Sequence, residues 1–434
     1  MKIWSYPSKS GENRLLRIVQ RGRGFRKKDV TTVTRMLEDV RKRGDEALLD
    51  YTRRFDAHRM EMDGLTVSLE EREDAMHRVD MAFRETLKRA VGQVESFHRK
   101  QLKRSWFTTE REGTFLGQMI QPVGAAGVYV PGGKEGKTPL VSSVLMGAIP
   151  AKVAGVERIA LATPPTSDGS VNPHLLAAAH FLGIQEIYKI GSAWAIAALA
   201  FGTTTVAPVD VIVGPGNVYV TLAKKLVSGT VGIDMLAGPS EILVIADADA
   251  DPVCIAADLL SQAEHDPLSS AILVTDSRKT ANAVAAALPG QLDRLDRAEI
   301  AGESLRRYGA IFVTEDLDAA VELANRVAPE HLELQVRDPF QWFGRIRNAG
   351  AVFMGRYTPE PVGDYIAGPN HVLPTAGTAR FSSALSVDHF LKKTSVIHYS
   401  QKAFEREADD VIRLAEIEGL GAHANAVRMR THRS

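Results

Sequence analysis

The sequence predicts an α/β protein made of two parallel-sheet units, with helical segments before and after them. From about residue 127, short apolar runs alternate with helices of small residues, the pattern of a βαβ series and hence of a parallel sheet. The same alternation begins again at about residue 241. Residues 25 to 115 differ: they are charged and carry apolar residues at helical spacing.

In chain order, the windows Asp29 to Asp50 and Met81 to Leu102 read as helices packed on another layer. Gly127 to Val130, Arg158 to Ala162, Glu186 to Ile190 and Val209 to Val213 read as strands, with Pro173 to Leu182 and Ala193 to Phe201 as helices among them. In the second unit, Glu241 to Ala246, Ser270 to Thr275, Ala310 to Val313 and His331 to Val336 are strands, separated by helices at 252–265, 277–288 and 316–327. After about 355 the chain is loop-rich through Gly363, Gly368-Pro369 and Leu373-Pro374, and it closes with a helix near 401–417 and a short one after Gly421. The expected organisation is an arm (1–24), a helical region (25–119) packing with the second unit, a first α/β unit (120–238), a second (239–375) and a C-terminal loop and helical tail (376–434). No self-similarity relates the two units, so the duplication expected is one of architecture.

A chain of 434 residues makes two or three domains. Lys+Arg and Asp+Glu both number 53, so no net field draws the protein to nucleic acid, and the Arg/His cluster at 428–433 reads as a solvated tail. The single cysteine, Cys254, excludes an intrachain disulfide and fits a reducing compartment. Met1-Lys2-Ile3-Trp4-Ser5 does not resemble a signal peptide, and no segment sustains the roughly 18 apolar residues of a membrane span. A cytoplasmic protein without membrane or nucleic-acid partners is expected.

The segment Ser261-Gln262-Ala263-Glu264-His265-Asp266 closes a helix that opens with Asp251 as cap and Pro252 at its first position, and Pro267 marks the stop. Gln262 and His265, three apart, share a face at the negative end of the helix dipole, where a cation is favoured. The segment is either a capped surface turn or half of a metal site. Asp364, after Gly363, and His423, after Leu420-Gly421-Ala422, are further ligand candidates. Together the four offer two nitrogens and two oxygens with one anionic ligand, a mix that suits Zn²⁺ as a Lewis acid. Sequence spacing permits this grouping without enforcing it.

In Ala328-Pro329-Glu330-His331, the proline ends a helix, and Leu332, Leu334 and Val336 then alternate with Glu333 and Gln335, as in a half-exposed strand. Glu330 and His331 are either a general acid–base pair or an edge pair without a chemical role. A Gly-x-Gly-x-x-Gly turn is missing. Its nearest equivalent, Gly214-Pro215-Gly216-Asn217, is either a phosphate-facing turn or a tight turn alone. Val130-Pro131-Gly132-Gly133 and Gly238-Pro239-Ser240-Glu241 lie at element junctions, where open parallel sheets bind ligands. Cys254, beside Ile255 on its helix, reads as a small hydrophobe rather than a nucleophile. Neither Gly-x-Ser-x-Gly nor His-Glu-x-x-His occurs, which argues against a serine hydrolase or a zinc protease.

Taken together, these blocks, with Gly363-Asp364-Tyr365, Gly368-Pro369-Asn370-His371-Val372-Leu373-Pro374-Thr375 and Glu418-Gly419-Leu420-Gly421-Ala422-His423-Ala424, closely resemble the histidinol dehydrogenase family over residues from about 25 to 430. The resemblance implies two incomplete Rossmann-like domains and an intertwined homodimer whose partner chain completes each active site. It implies an NAD-dependent, zinc-containing enzyme of histidine biosynthesis that oxidises L-histidinol through the aldehyde to L-histidine. By the same resemblance Gln262, His265, Asp364 and His423 bind Zn²⁺ and, with it, the substrate. Ser240, Glu418 and His331 contact substrate, and Glu330 and His331 form the acid–base pair. Tyr129 and Asn217 match nucleotide-contacting positions. At a third, where the family has glutamine, stands Trp194, which can stack or donate one hydrogen bond but cannot mimic an amide. The alternatives are a related dehydrogenase of another small alcohol, such as a hydroxylated sulfonate, and a non-catalytic zinc-binding protein. Retention of Ser240-Glu241, Pro369-Asn370 and Glu418 favours the histidinol form.

Overall fold

The computed structural model describes residues 1–22, 24–132 and 138–431, so Gly133 and the end of the 428–433 cluster lie outside the described residues. The chain divides into two compact units, one of residues 1–101 with 123–390 and the other of 102–122 with 391–434.

The first unit opens with β1 (Ile3–Ser5) and α1 (Lys9–Val19), whose first turn is capped by the Ser8 hydroxyl accepting from the Gly11 N–H. Then come α2 (Lys27–Arg43), α3 (Asp45–Phe55), α4 (Leu69–Arg78) and α5 (Met81–Arg99). The helical window at 29–50 is split because Gly44 takes φ +58° between α2 and α3, a conformation that costs glycine little. Ser68 and Glu71 form a reciprocal capping box on α4, and Asp80 caps α5.

After the strands β2 (Trp106–Thr108) and β3 (Thr114–Pro122), which belong to the other unit, the first α/β series runs β4 (Ala125–Tyr129), α6 (Val141–Ala154), β5 (Arg158–Ala162), α7 (Pro173–Phe181), β6 (Glu186–Tyr188), α8 (Ser192–Phe201), β7 (Val211–Val213), α9 (Val218–Val227) and β8 (Gly232–Ile233). The second runs β9 (Glu241–Ala246), α10 (Pro252–Ala263), β10 (Ser270–Thr275), α11 (Arg278–Leu292), α12 (Ala298–Tyr308), β11 (Ala310–Val313), α13 (Leu317–Val327), β12 (His331–Gln335), α14 (Pro339–Phe343), β13 (Ala351–Met354) and α15 (Glu360–Tyr365).

Both sheets are parallel and share one topology. The first has the order β6-β5-β4-β7-β8; the second has β11-β10-β9-β12-β13, with β1 added beside β11. In each, the chain steps outward twice from a central strand and then crosses to its other side. The strand order therefore reverses between β4 and β7 and between β9 and β12, the places where open α/β sheets leave a crevice. The architectural duplication is thus present.

Three expectations about organisation are corrected. The N-terminal arm is part of the second sheet, because β1 pairs in register with β11 (Ile3 with Ile311) and Leu15 and Ile18 enter that sheet's core. The helices of residues 25–119 put their apolar stripes on the first α/β unit rather than the second, and α5 is seen to touch the second, where Gly368 lies against Gln93 and Phe97. Val33, Leu37, Val40, Leu48 and Leu49 of α2 and α3 join the core of α8 and α9, since the apolar stripes of those helices cover the first sheet. The tail also begins later than 376: Leu385, Val387 and Phe390 are buried in the first unit.

The second unit is small. Its strand β14 (Leu391–Tyr399) pairs antiparallel with β3, Ser395 opposite Gln118, and β3 pairs with β2. Helices α16 (Gln401–Ile417), capped by Ser400, and α17 (Gly421–Thr431) complete it. Ile397, Leu414 and Ile417 are 71%, 62% and 77% exposed, an apolar surface that the chain by itself leaves uncovered. No described helix is long and apolar enough to cross a membrane.

Candidate functional site

β12 opens on His331. The preceding helix ends at Ala328, held at φ +54°, and Pro329 follows, so Glu330 and His331 enter beside β9 at the second sheet's reversal point. Gly350 allows this closeness, because a Cβ there would stand 2.5 Å from the Glu330 carbonyl oxygen. These residues meet the amino ends of β9 and β12, opposite to the carboxyl-end rule for open sheets.

His331 and Glu330 are both buried, so the reading of an exposed edge pair is ruled out by the fold. His331 Nδ1 lies 3.0 Å from the Glu241 carbonyl oxygen. A carbonyl only accepts, so Nδ1 carries the hydrogen and Nε2 keeps its lone pair. Nε2 is buried without a hydrogen-bond partner and lies 3.8 Å from Glu360 Oε1. Burial lowers the His331 pKa to about 4 against the opposing pull of Asp364, so the ring is neutral and able to accept a proton. Glu330 Oε2 accepts the Glu241 N–H at 2.9 Å. Burial, and next the nearby Glu241, raise the Glu330 pKa well above the usual carboxylate range.

Glu241 is held in turn by Arg21. The guanidinium of this buried N-terminal residue reaches Glu241 Oε1 at 3.1 Å, the Ser240 carbonyl at 3.3 Å and the Leu268 carbonyl at 2.8 Å. Ser240 is half-buried beside this network. Gly238 donates its N–H to the Thr375 hydroxyl, and Asn370 donates to the Met146 carbonyl at 2.7 Å, so the 368–376 loop ties the second sheet to α6.

One ligand atom each from His331, Glu360 and Asp364 lie within 4.8 Å of one another, on β12 and α15. His265 and His371 act electrostatically on His331, and Asp364 acts on His265, which places all five groups in one neighbourhood. Burial pushes the Glu360 pKa up to about 9, with Asp364 adding to the rise. α10 ends at Ala263, earlier than expected, and His265 lies just past the helix, its N–H donating to the Gln262 carbonyl at 3.3 Å. Gln262 is 1% exposed and its Oε1 has no partner. A buried amide oxygen without a donor is uncommon, and its free lone pairs are able to meet a cation. With the Asp364 carboxylate and the His265 imidazole, this donor set fits Zn²⁺. His331 with Glu360 and Asp364 is a second possible set, and Asp364 belongs to both. Glu418 and His423, both exposed, lie in the other unit, at the end of α16 and the start of α17.

The first sheet's reversal point supplies a separate crevice at carboxyl ends of strands. Gly214 follows β7 at φ +117°, and a Cβ there would stand 2.1 Å from the Tyr129 carbonyl oxygen, so only glycine fits. The turn is clamped from behind: its N–H donates to Asp234 Oδ2 at 2.8 Å, its carbonyl accepts from Lys224 Nζ at 2.9 Å, and the buried Lys224 and Asp234 are ion-paired. Asn217 caps α9 through Oδ1 and is otherwise exposed. The Tyr129 hydroxyl accepts the Ser192 N–H at 3.0 Å, next to Trp194. Trp194 is 3% exposed, packed on Tyr51 and Phe55 with ring centroids 5.6 and 5.5 Å away, and so offers no ring face to a ligand.

Sequence reasoning missed Arg21, Glu360 and His371 as members of the site. Glu360 and Asp364 are one helical turn apart in Glu360-Pro-Val-Gly-Asp364, a visible signal once a helix is assigned there. Arg21 has no local signal, because its partners are more than 200 residues away.

The histidinol dehydrogenase family model matches residues 20–431. A histidinol dehydrogenase of Desulfotalea psychrophila is 54% identical over 400 residues, covering 92% of each chain. That of Oleidesulfovibrio alaskensis is 57% identical over 398 residues, again covering 92% of each. The crystal structure of histidinol dehydrogenase from Elizabethkingia anophelis matches with a TM-score of 0.92 at 37% identity, covering 99% of this chain and 98% of the other.

Proposed function

Because the chain belongs to the histidinol dehydrogenase family, we propose that it oxidises L-histidinol to L-histidine through L-histidinal, passing two hydrides to two NAD⁺. The observation that carries the mechanism is the Nδ1–H to Glu241 hydrogen bond, which leaves His331 Nε2 as a buried, unpartnered base. In the first step Nε2 takes the hydroxyl proton of the substrate as hydride leaves the carbinol carbon for NAD⁺, giving the aldehyde. Glu330, a stronger base than an ordinary carboxylate because it is buried, then takes a proton from water as its oxygen adds to the aldehyde carbon, while protonated His331 gives its proton to the aldehyde oxygen, so that the hydrate forms. His331, relieved of its first proton, takes a hydroxyl proton from the hydrate as the second hydride leaves, and the product is the carboxylic acid.

We assign Zn²⁺ to Gln262, His265 and Asp364, with His423 as fourth protein ligand. When bound, the ion would grip the substrate's nitrogens and orient its carbinol carbon. Ser240 and Glu418 bind the substrate, and His371, also with a buried and unpartnered Nε2, is a further candidate. NAD is assigned to the crevice of Tyr129, Gly214 and Asn217, with Trp194 acting through packing on the turn at Ser192. Glu418 and His423 are presented by a second copy of the chain in a homodimer, for which the exposed apolar surface of β14 and α16 is the support. A cytoplasmic location fits the single free thiol.

Cys254 has no covalent role in this mechanism. It sits in the first turn of α10, eight residues or about 12 Å of helix from Gln262, and burial raises its pKa.

The test is NADH formation from histidinol and from histidinal, set against other amino alcohols and hydroxylated sulfonates. Faster turnover of a sulfonate would move the assignment to that substrate, and the lack of any NAD-linked turnover would favour a zinc-binding protein without catalysis.

A further inference from the structure

We propose that Glu333, together with Asp258, is a positioning pair that fixes α15 and thereby sets Asp364 and Glu360 against His331. This deepens the zinc and acid–base assignment above and rests on it. β12 is buried along its whole length between β9 and β13, where a parallel strand is ordinarily apolar on both faces. It nevertheless carries His331, Glu333 and Gln335 at alternate positions, hence on one face. The half-exposed strand expected from the alternation is therefore replaced by a buried polar line that starts at the base His331.

Glu333 is 0% exposed. Its Oε1 accepts the backbone N–H of Glu360, the first residue of α15, at 2.9 Å. Its Oε2 accepts from Gln335 Nε2 at 3.2 Å, and the same Nε2 reaches Asp258 Oδ2 at 3.5 Å, so Gln335 links Glu333 to Asp258, on α10 one turn before Gln262.

α15 has six residues, too few to be stable alone, and its N-cap, Pro359, makes no side-chain cap. The carboxyl of Glu333 takes the place of that cap and, through Gln335, fastens the same point to α10. Glu360 and Asp364 project from α15 one turn apart, so its position decides where both groups lie. A buried carboxyl pair adds nothing to packing that apolar residues would not supply, which leaves the two-point hold as its contribution.

Glutamine at 333 keeps an oxygen to accept the Glu360 N–H and an amide group to join the Gln335–Asp258 network, whereas leucine has neither. The experiment measures Zn²⁺ affinity of metal-free protein by competition with a chromophoric chelator, with kcat and KM for histidinol and the metal-free melting temperature alongside. Glu333→Leu is expected to weaken Zn²⁺ binding about 10- to 100-fold, as loss of a group supporting a metal ligand does, while Glu333→Gln stays within about threefold of the parent. Kinetic rescue by glutamine should follow the same order. Zn²⁺ affinity of Glu333→Leu within about threefold of the parent would overturn the inference, and so would an equal loss in Glu333→Gln, which would make charge the point rather than the hold. If the parent protein itself binds no Zn²⁺, the metal assignment fails and takes this inference with it. Should Glu333→Leu not fold, the Asp258→Ala/Glu333→Leu protein, which leaves no unpaired carboxylate, carries the same measurement and the same expected loss.

Discussion

Replacing Lys224 with methionine would remove one charge from the clamp behind the Gly214 turn while nearly conserving side-chain volume. Both partners of the ion pair are out of solvent, with side-chain exposures of 2% for Lys224 and 0% for Asp234. Breaking a buried pair from one side typically costs about 3–5 kcal/mol, because the remaining charge is left uncompensated. Asp234 keeps two backbone donors, Gly214 N–H and Met235 N–H, which places the expected loss near the lower bound, about 3 kcal/mol. The Gly214 carbonyl also loses its donor. Urea unfolding would measure the stability loss, and adding Asp234→Asn should recover part of it by removing the stranded charge. In steady-state kinetics the KM for NAD⁺ should rise while Zn²⁺ affinity stays unchanged, since the clamp lies at the first sheet's crevice and the metal residues at the second. A stability loss under about 1 kcal/mol would refute the electrostatic reasoning, and an unchanged KM for NAD⁺ would remove the nucleotide from this turn.

His331→Asn keeps a donor for the Glu241 carbonyl but deletes the Nε2 lone pair, so single-turnover rates with both histidinol and histidinal should fall about 10²- to 10⁴-fold, the usual contribution of a general base. Glu330→Gln keeps an acceptor for the Glu241 N–H and should slow histidinal far more than histidinol; equal losses on the two substrates would overturn the division of labour. Chelation should abolish turnover and Zn²⁺ restore it, whereas full activity in metal-free protein, verified by elemental analysis, would remove the metal role. Mixing inactive His331→Asn and His423→Ala proteins under conditions that exchange subunits should restore part of the activity if a second copy supplies His423, and no recovery in verified hybrids would place His423 elsewhere. Burial raises the Asp56 pKa from 3.8 to about 7, so its contribution to stability is complete below the unfolded value and is lost as pH rises through about 7. Asp56→Asn should therefore match the parent near pH 4 and exceed it near pH 8 by at most about 4 kcal/mol; stability curves that stay parallel would show that Asp56 ionises freely in the fold.

Much of the fold was legible because helices and strands impose periods on a chain. The strands at 158–162, 241–246, 270–275 and 310–313 fall where apolar runs place them, and the caps at Asp251 and the proline before Glu330 mark true element ends. The strand Ile3–Ser5 was not legible, since three residues carry too little pattern, and its partner lies about 300 residues away. Glu333 and Gln335 were misplaced on a solvent face because alternation looks the same whether the polar side meets water or a buried carboxyl network. The stacking that Trp194 could offer is taken up within the fold, because α3 lays Tyr51 and Phe55 against the indole.

By itself, the sequence determined the class of chemistry: two nitrogen and two oxygen ligand candidates, a histidine beside a glutamate, and glycine turns at strand ends, in an order that resembles one family. Only the tertiary structure decided which nitrogen of His331 is the base, because the hydrogen on Nδ1 is assigned by a carbonyl 90 residues away. It also raised the proton affinity of Glu330 and Glu360, since pKa shifts come from burial and from charges brought together by folding. Residue types are local properties of the chain, whereas proton affinity and metal geometry depend on surroundings that exist only once distant segments meet.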